Sequence, residues 1–203
     1  MRTNVFNVCS DGAGTAEALS ATEALGRACG LERKQLLRLR LLAEELFGML
    51  GSIAGRVEAD YTAEENNKRF SLCLKSKIDL NKDIRRQLLS VSSSGENAAA
   101  KSFMGKIRDM VAEAMLPEGD GVSLFSLGMM SMGSSGNYRT GSGAYKWSLQ
   151  EYRSELENSS SEDAEAREAW DELEKSIVAS IADDVSVSIV GSKVEIIILK
   201  AFN

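Results

Sequence analysis

Histidine is missing altogether, and with it go the commonest general base and the imidazole ligands of zinc. Cysteine is scarce: Cys9, Cys29 and Cys73 are odd in number and widely spaced, so they outline neither a disulfide framework nor a metal site. They read as small buried hydrophobes of a reducing compartment rather than as nucleophiles. Proline occurs once, at Pro117. No run of about 18 apolar residues exists to cross a bilayer, and the opening Met1-Arg2-Thr3-Asn4 lacks the apolar core of a secretion signal. The expectation is therefore a cytoplasmic protein, neither exported nor attached to a membrane. A surplus of positive charge is lacking too. With 30 acidic against 24 basic residues the formal charge is -6, which offers no field to displace counterions from a phosphate backbone, so nucleic acid is not an expected partner.

What is present is the composition of a folded domain. The 203 residues are 43% hydrophobic and 27% charged, enough to enclose a core without cross-links, and one domain over 1–203 is expected. A short strand over 3–8 ends in the turn-rich Ser10-Asp11-Gly12-Ala13-Gly14. A helix comes next, with Thr15 as its cap, Ala18, Leu19, Thr22, Leu25 and Ala28 at helical spacing, and Gly30 as its stop. A longer helix over 32–54 carries Leu36, Leu39, Leu42, Leu46, Leu50 and Ile53 on one face. Leu37, Leu41 and Met49 widen that stripe enough to predict burial on two sides.

Two strands are predicted next, over 57–62 and 69–79. In the second, Phe70, Leu72, Leu74 and Ile78 alternate with Ser71, Cys73, Lys75, Lys77 and Asp79. Near the other end of the sequence, Ala166, Trp170, Leu173, Ile177 and Ile181 form a helical stripe. The pattern then switches to period two, with Val185, Val187 and Ile189 before Gly191-Ser192 and Val194, Ile196 and Ile198 after it, which predicts a hairpin with a type II′ turn. Between these regions, 81–90 and 98–116 read as helices, 117–121 as a break and 128–143 as a mobile loop rich in Gly, Ser and Met. Trp147 and Tyr152 bracket Ser148 and Glu151 as a hydrophobic staple around a capping box, so a helix begins there. Ser159-Ser160-Ser161 is a linker.

The order strand, helix, long buried helix, two strands, variable segment, helix and terminal hairpin resembles that of the histidine-kinase-like (GHKL) ATPases, and within them the bacterial anti-sigma-factor serine kinases. The likeness is carried by Leu39-Arg40-Leu41-Leu42-Ala43-Glu44-Glu45-Leu46-Phe47-Gly48-Met49, similar to that family's N-box helix, by Ile181-Ala182-Asp183-Asp184-Val185 and by Lys193-Val194-Glu195-Ile196. The resemblance implies an α+β two-layer sandwich, a mixed, mainly antiparallel sheet with helices on one face. An enlarged lid-like insertion would occupy about 81–163. It further implies ATP as the ligand and a regulatory protein as the partner, with a homodimer left open.

In that family a glutamate positions the attacking group, and an asparagine one helical turn later holds magnesium. The resemblance puts Glu45 in the glutamate position and Met49 in the asparagine position; shifted by one residue, Glu44 pairs with Gly48. Neither a thioether nor a bare backbone suits a hard cation that takes oxygen ligands, so magnesium is not well provided for. Asp79 takes the place of the family's adenine-reading aspartate, while Asn81 and Asp83 stand where it has glycines. The family's glycine-rich phosphate turn falls at 163–169, where no glycine occurs and Asp163, Glu165 and Glu168 bring negative charge.

Each residue has a plainer reading beside the functional one. Glu45 is either a surviving base or an ordinary helix residue, and Asp79 either an adenine contact or the residue that ends a strand and caps the next helix. The segment 133–143 is either a lid closing on phosphates, with Arg139 or Lys146 as its cation, or a surface connection. Three functional classes stand open: a nucleotide-binding regulator, an active ATPase or serine kinase in which Glu44 or Asn81 replaces the missing ligand, and a nucleotide-free interaction domain. The basic group Arg33, Lys34, Arg38 and Arg40 reads as a solvated helix face. Met104, Met110, Met115, Met129, Met130 and Met132 read as core filling.

Overall fold

The computed structural model describes residues 1–52, 56–77, 138–140, 144–159 and 164–202. In chain order the elements are β1 (Phe6–Cys9), α1 (Thr15–Ala28), α2 (Arg33–Ser52), β2 (Glu58–Asn66), β3 (Arg69–Lys77), β4 (Tyr138–Thr140), β5 (Ala144–Ser148), α3 (Leu149–Ser159), α4 (Ala164–Lys175), α5 (Ile177–Ile181), β6 (Asp184–Val190) and β7 (Lys193–Ala201). The strands form one seven-stranded sheet in the order β1-β2-β3-β7-β6-β5-β4. Every described pairing is antiparallel, so the expected mixture of directions is not found among the described residues. The α+β class stands, and the helices gather on one face.

Alternation along the strands makes that face. Tyr61 lies opposite Leu74, Leu74 opposite Ile196, Ile196 opposite Val187 and Val187 opposite Trp147, so one buried row crosses five strands. The neighbouring row runs Ala63, Leu72, Ile198, Val185. These rows share a single core cluster with Leu39, Leu42, Leu46, Met49 and Leu50 of α2, Leu149, Tyr152 and Leu156 of α3, and Val178 and Ala179 of α5. The opposite face carries Asp60, Lys75, Glu195, Ser188 and Lys146 in one register row, with Lys75 Nζ 2.8 Å from Glu195 Oε1. Opposite charges on adjacent strands suit a face turned to water.

Local chemistry fixes the element ends. Gly30 (φ 77) donates to the Arg27 carbonyl and Leu31 to that of Gly26, a Schellman stop for α1. At its start, Gly14 rather than Thr15 holds the cap position; the Thr15 hydroxyl turns back to donate to the Gly12 carbonyl at 2.7 Å. The β2–β3 hairpin turns through Asn67 and Lys68, both with positive φ, and the strands extend to Asn66 and Arg69. Gly191 (φ 59), followed by Ser192 outside the left-handed region, gives the backbone pattern of the anticipated type II′ turn. The staple and one arm of the capping box are present: Glu151 N–H donates to Ser148 Oγ at 3.3 Å, and the Trp147 and Tyr152 rings lie 5.9 Å apart.

Three expectations are corrected. Leu37 is 59% exposed, so the second side of the α2 stripe is not buried at its N-terminal half. The single helical stripe from Ala166 to Ile181 is two helices. Ser176 adopts an extended backbone and its side chain accepts the Ala179 N–H, which starts α5 and leaves Ile177 46% exposed. Within the stretch read as an insertion, Tyr138–Thr140 and Ala144–Ser148 add two strands to the common sheet, and Leu149–Ser159 adds a helix to its core. The expected helices at 81–90 and 98–116, the break at 117–121, the rest of the loop at 128–143, Ile53 and Ile78 lie outside the described residues.

A β-carbon on Gly14 would sit 2.1 Å from the Asn7 carbonyl oxygen, whereas one on Gly30 meets nothing within 4 Å. Both have positive φ. Gly30→Ala is therefore expected to cost about 1 kcal/mol and Gly14→Ala about 3 kcal/mol or more, read from urea unfolding midpoints. A second expectation concerns the buried hydroxyls. Tyr61 OH and Thr22 Oγ1 are 2.8 Å apart, and Thr22 also bonds the Ala18 carbonyl. Thr22→Val strands the Tyr61 hydroxyl and should cost about 1–3 kcal/mol, while Tyr61→Phe leaves Thr22 bonded and should cost about 1 kcal/mol. A double mutant less destabilised than the sum of the two verifies the link.

Candidate functional site

The long helix that bears the N-box-like residues is held from two sides. Its inner face packs on β3, β7 and α5, and its flank packs on α1. Phe47 meets Tyr61 of β2 edge to face, centroids 4.8 Å apart, and Tyr61 is tied to Thr22 of α1. On the flank, Arg40 donates to Glu44 of its own helix (2.8 Å) and to Glu23 of α1 (2.5 Å), while Arg27 also bonds Glu23 (2.7 Å). Arg40 holds the Glu23 carboxyl below the usual carboxylate range, chiefly by that hydrogen bond. The same contacts raise Arg40.

These contacts give the anticipated site residues distinct environments. Glu44 is exposed and engaged with Arg40. Glu45 is half-buried one position further round the helix. Met49 is 1% exposed and belongs to the core cluster. Gly48 is at the surface, with open space where a side chain would project. Asp79 and Asn81 lie outside the described residues; β3 is described as far as Lys77, which stands opposite Lys193. Phe70 stands opposite Lys200, so the terminal hairpin is joined to the strand that leads towards Asp79.

The lid cation reading is corrected at one position. Trp147 is buried on the helix side of β5, so Lys146, its neighbour, projects from the other face, opposite Ser188. The sheet separates it from α2. Arg139 belongs to β4, at the sheet edge farthest from β1. Among the described residues no three acidic or cysteine side chains come close enough to hold a metal. Thiol chemistry is also disfavoured at Cys73 and Cys29. Burial, followed by the Glu195 charge, pushes the Cys73 thiol up to about 11, and burial raises Cys29 likewise.

Two positioning groups escape a reading of the sequence alone. The Arg40–Glu44 pair has visible i, i+4 spacing, but Glu23 becomes its third member only when α1 packs on α2. Asp184 accepts from Ser148 Oγ (3.2 Å) and from Gln150 N–H (3.1 Å), capping α3 from the start of β6. No local spacing links 184 to 148.

Glu23 and Arg40 also set an acid sensitivity. A carboxyl lowered by folding contributes stability that is present above its unfolded pKa, near 4.5, and is lost as pH falls through the folded value. Arg40→Met should return the Glu23 titration to higher pH in carbon-detected NMR and remove that part of the acid-side loss; an unmoved titration would refute the link. Compared with protein-family models, with curated proteins and with solved structures, the chain matches none of them.

Proposed function

We propose that this chain is a regulatory binding domain of the histidine-kinase-like ATPase fold, in the style of the anti-sigma-factor kinases, from which magnesium-dependent phosphoryl transfer has been lost. It works inside the cell by engaging a regulatory protein. The observation that carries the loss of catalysis is Met49. The position one turn after Glu45, where an asparagine would hold magnesium, bears a thioether buried in the core. Magnesium takes oxygen ligands in near-octahedral geometry, and the side chain at position 49 offers none. Without the ion to neutralise charge between the phosphates, a glutamate alone has little to act on.

The fold reading is supported by the packing of α2 on β3 and β7 and by the union of the terminal hairpin with β3. In this reading, carried by the family resemblance, Glu45 and Asp79 are the residues that would contact nucleotide, with Glu44 and Asn81 as secondary candidates. ATP, where it binds, is held without a structural magnesium. The nucleotide-free variant of the same function is favoured by the same side chain, because Met49 is committed to the core.

Thermal melting separates these readings. A ligand at ~100 times its Kd adds roughly 2.7 kcal/mol of stability. ATP with EDTA should shift the melting temperature as much as ATP with magnesium, and wild type and Glu45→Ala should show the same background hydrolysis. No shift at millimolar nucleotide leaves the interaction domain alone. A magnesium-dependent shift together with hydrolysis abolished in Glu45→Ala would restore the active-enzyme reading and sink the proposed loss.

A further inference from the structure

The N-terminal half of α2 carries a surface that the packing of the core does not use. Arg33, Lys34, Leu37, Arg38 and Leu41 recur at i, i+3 and i, i+4 spacing, which gathers them on one side of the helix. That side points away from the core. Leu39, Leu42 and Leu46 are buried, whereas Leu37 is 59% exposed and Arg33, Lys34 and Arg38 are all exposed. Among the described residues these three cations make no ion pair, in contrast to Arg40 two residues on, which has two carboxylate partners. No acidic residue occurs over 33–43, in a chain whose net charge is -6.

An exposed leucine ringed by unpaired cations is costly in two ways that a partner relieves together. The leucine leaves apolar area in water, and cations crowded on one and a half turns repel one another. We propose that this face of α2 docks an acidic amphipathic helix of a partner protein, with an apolar side chain against Leu37 and Leu41 and carboxylates beside Arg33, Lys34 and Arg38. The size of the patch favours this class of occupant. From Arg33 to Arg38 it runs about 8 Å along the axis, enough for two or three carboxylates and one apolar anchor. A nucleic acid would meet a net-negative molecule with a short cationic strip, and a membrane would gain little from one leucine. A hydrophobic anchor with a charged rim is the usual anatomy of a protein interface. Leu41 marks the C-terminal limit of this surface, because Glu44 and Glu45 follow it at i, i+3 and i, i+4 spacing.

The test uses the full chain and a fluorescein-labelled synthetic helix bearing one leucine flanked by four glutamates. The control is the same peptide with lysine for glutamate. Anisotropy should show binding of the acidic peptide alone, weakened as salt rises from about 0.05 to about 0.5 M. Lys34→Glu/Arg38→Glu and, separately, Leu37→Gln should each weaken it by about tenfold or more. Melting temperatures should stay unchanged, since the residues are exposed; should the charge reversal unfold the chain, Lys34→Gln/Arg38→Gln replaces it. Equal affinity of wild type and variants, or no binding of the acidic peptide, would overturn the proposal. So would preferential binding of a single-stranded oligonucleotide or of phosphatidylserine vesicles. Self-association that the variants abolish would also overturn it, by giving the face to a second copy.

Discussion

The described structure is arranged around the contact between its helix layer and the row of Tyr61, Leu74, Ile196, Val187 and Trp147. Five neighbouring strands present these side chains to one side, and the helix layer covers them. Side-chain period in a strand is two, so a slip of one residue in any of these pairings would turn the row to water and bury Lys75 or Glu195 in its place. The penalty of burying an unpaired charge enforces the register more firmly than any hairpin turn does. The orientation of α2 inherits that precision, and with it the separation between Met49 inside, Glu45 at the boundary and Glu44 outside.

Much of this is legible where one face decides burial. The stripes of α1 and α2, the alternation of Phe70, Leu72 and Leu74, the final hairpin and the staple around Ser148 all come from local pattern, because one buried face writes its period directly into the sequence. The misreadings share a cause. Leu37 is apolar and in phase with a wider stripe, but no described element packs on that side, and nothing within the helix records the lack of a described neighbour. Ser176 interrupts an apparently continuous stripe because a short polar side chain that bonds the backbone can start a new helix at modest cost. The turn at Asn67 and Lys68 lacks the glycine that usually signals positive φ, so local pattern ends β2 short of Asn66.

For the candidate site the sequence is informative about chemistry and silent about placement. The loss of an oxygen donor at position 49 is plain from the residue type alone. That Met49 is enclosed by the core, that Lys146 lies across the sheet from α2, and that Arg40 is shared between Glu44 and Glu23 are tertiary facts. Ion pairs between separate helices leave no periodic trace, because each partner is an ordinary surface residue in its own element.

The place of β7 bears on how the chain reaches this state. It comes after every other described strand in chain order, yet it lies between β3 and β6. During synthesis, therefore, β3 waits with one hydrogen-bonding edge unsatisfied while all the intervening sequence emerges, and the first three strands cannot be joined to β6 until β7 arrives. Pairing of β3 with β7 spans more than a hundred residues, the kind of distant closure that slows folding. A nascent chain stalled before residue 193 would leave the backbone edge of β3 open to its neighbours on the polysome, which makes this interval the one in which chaperone cover matters most.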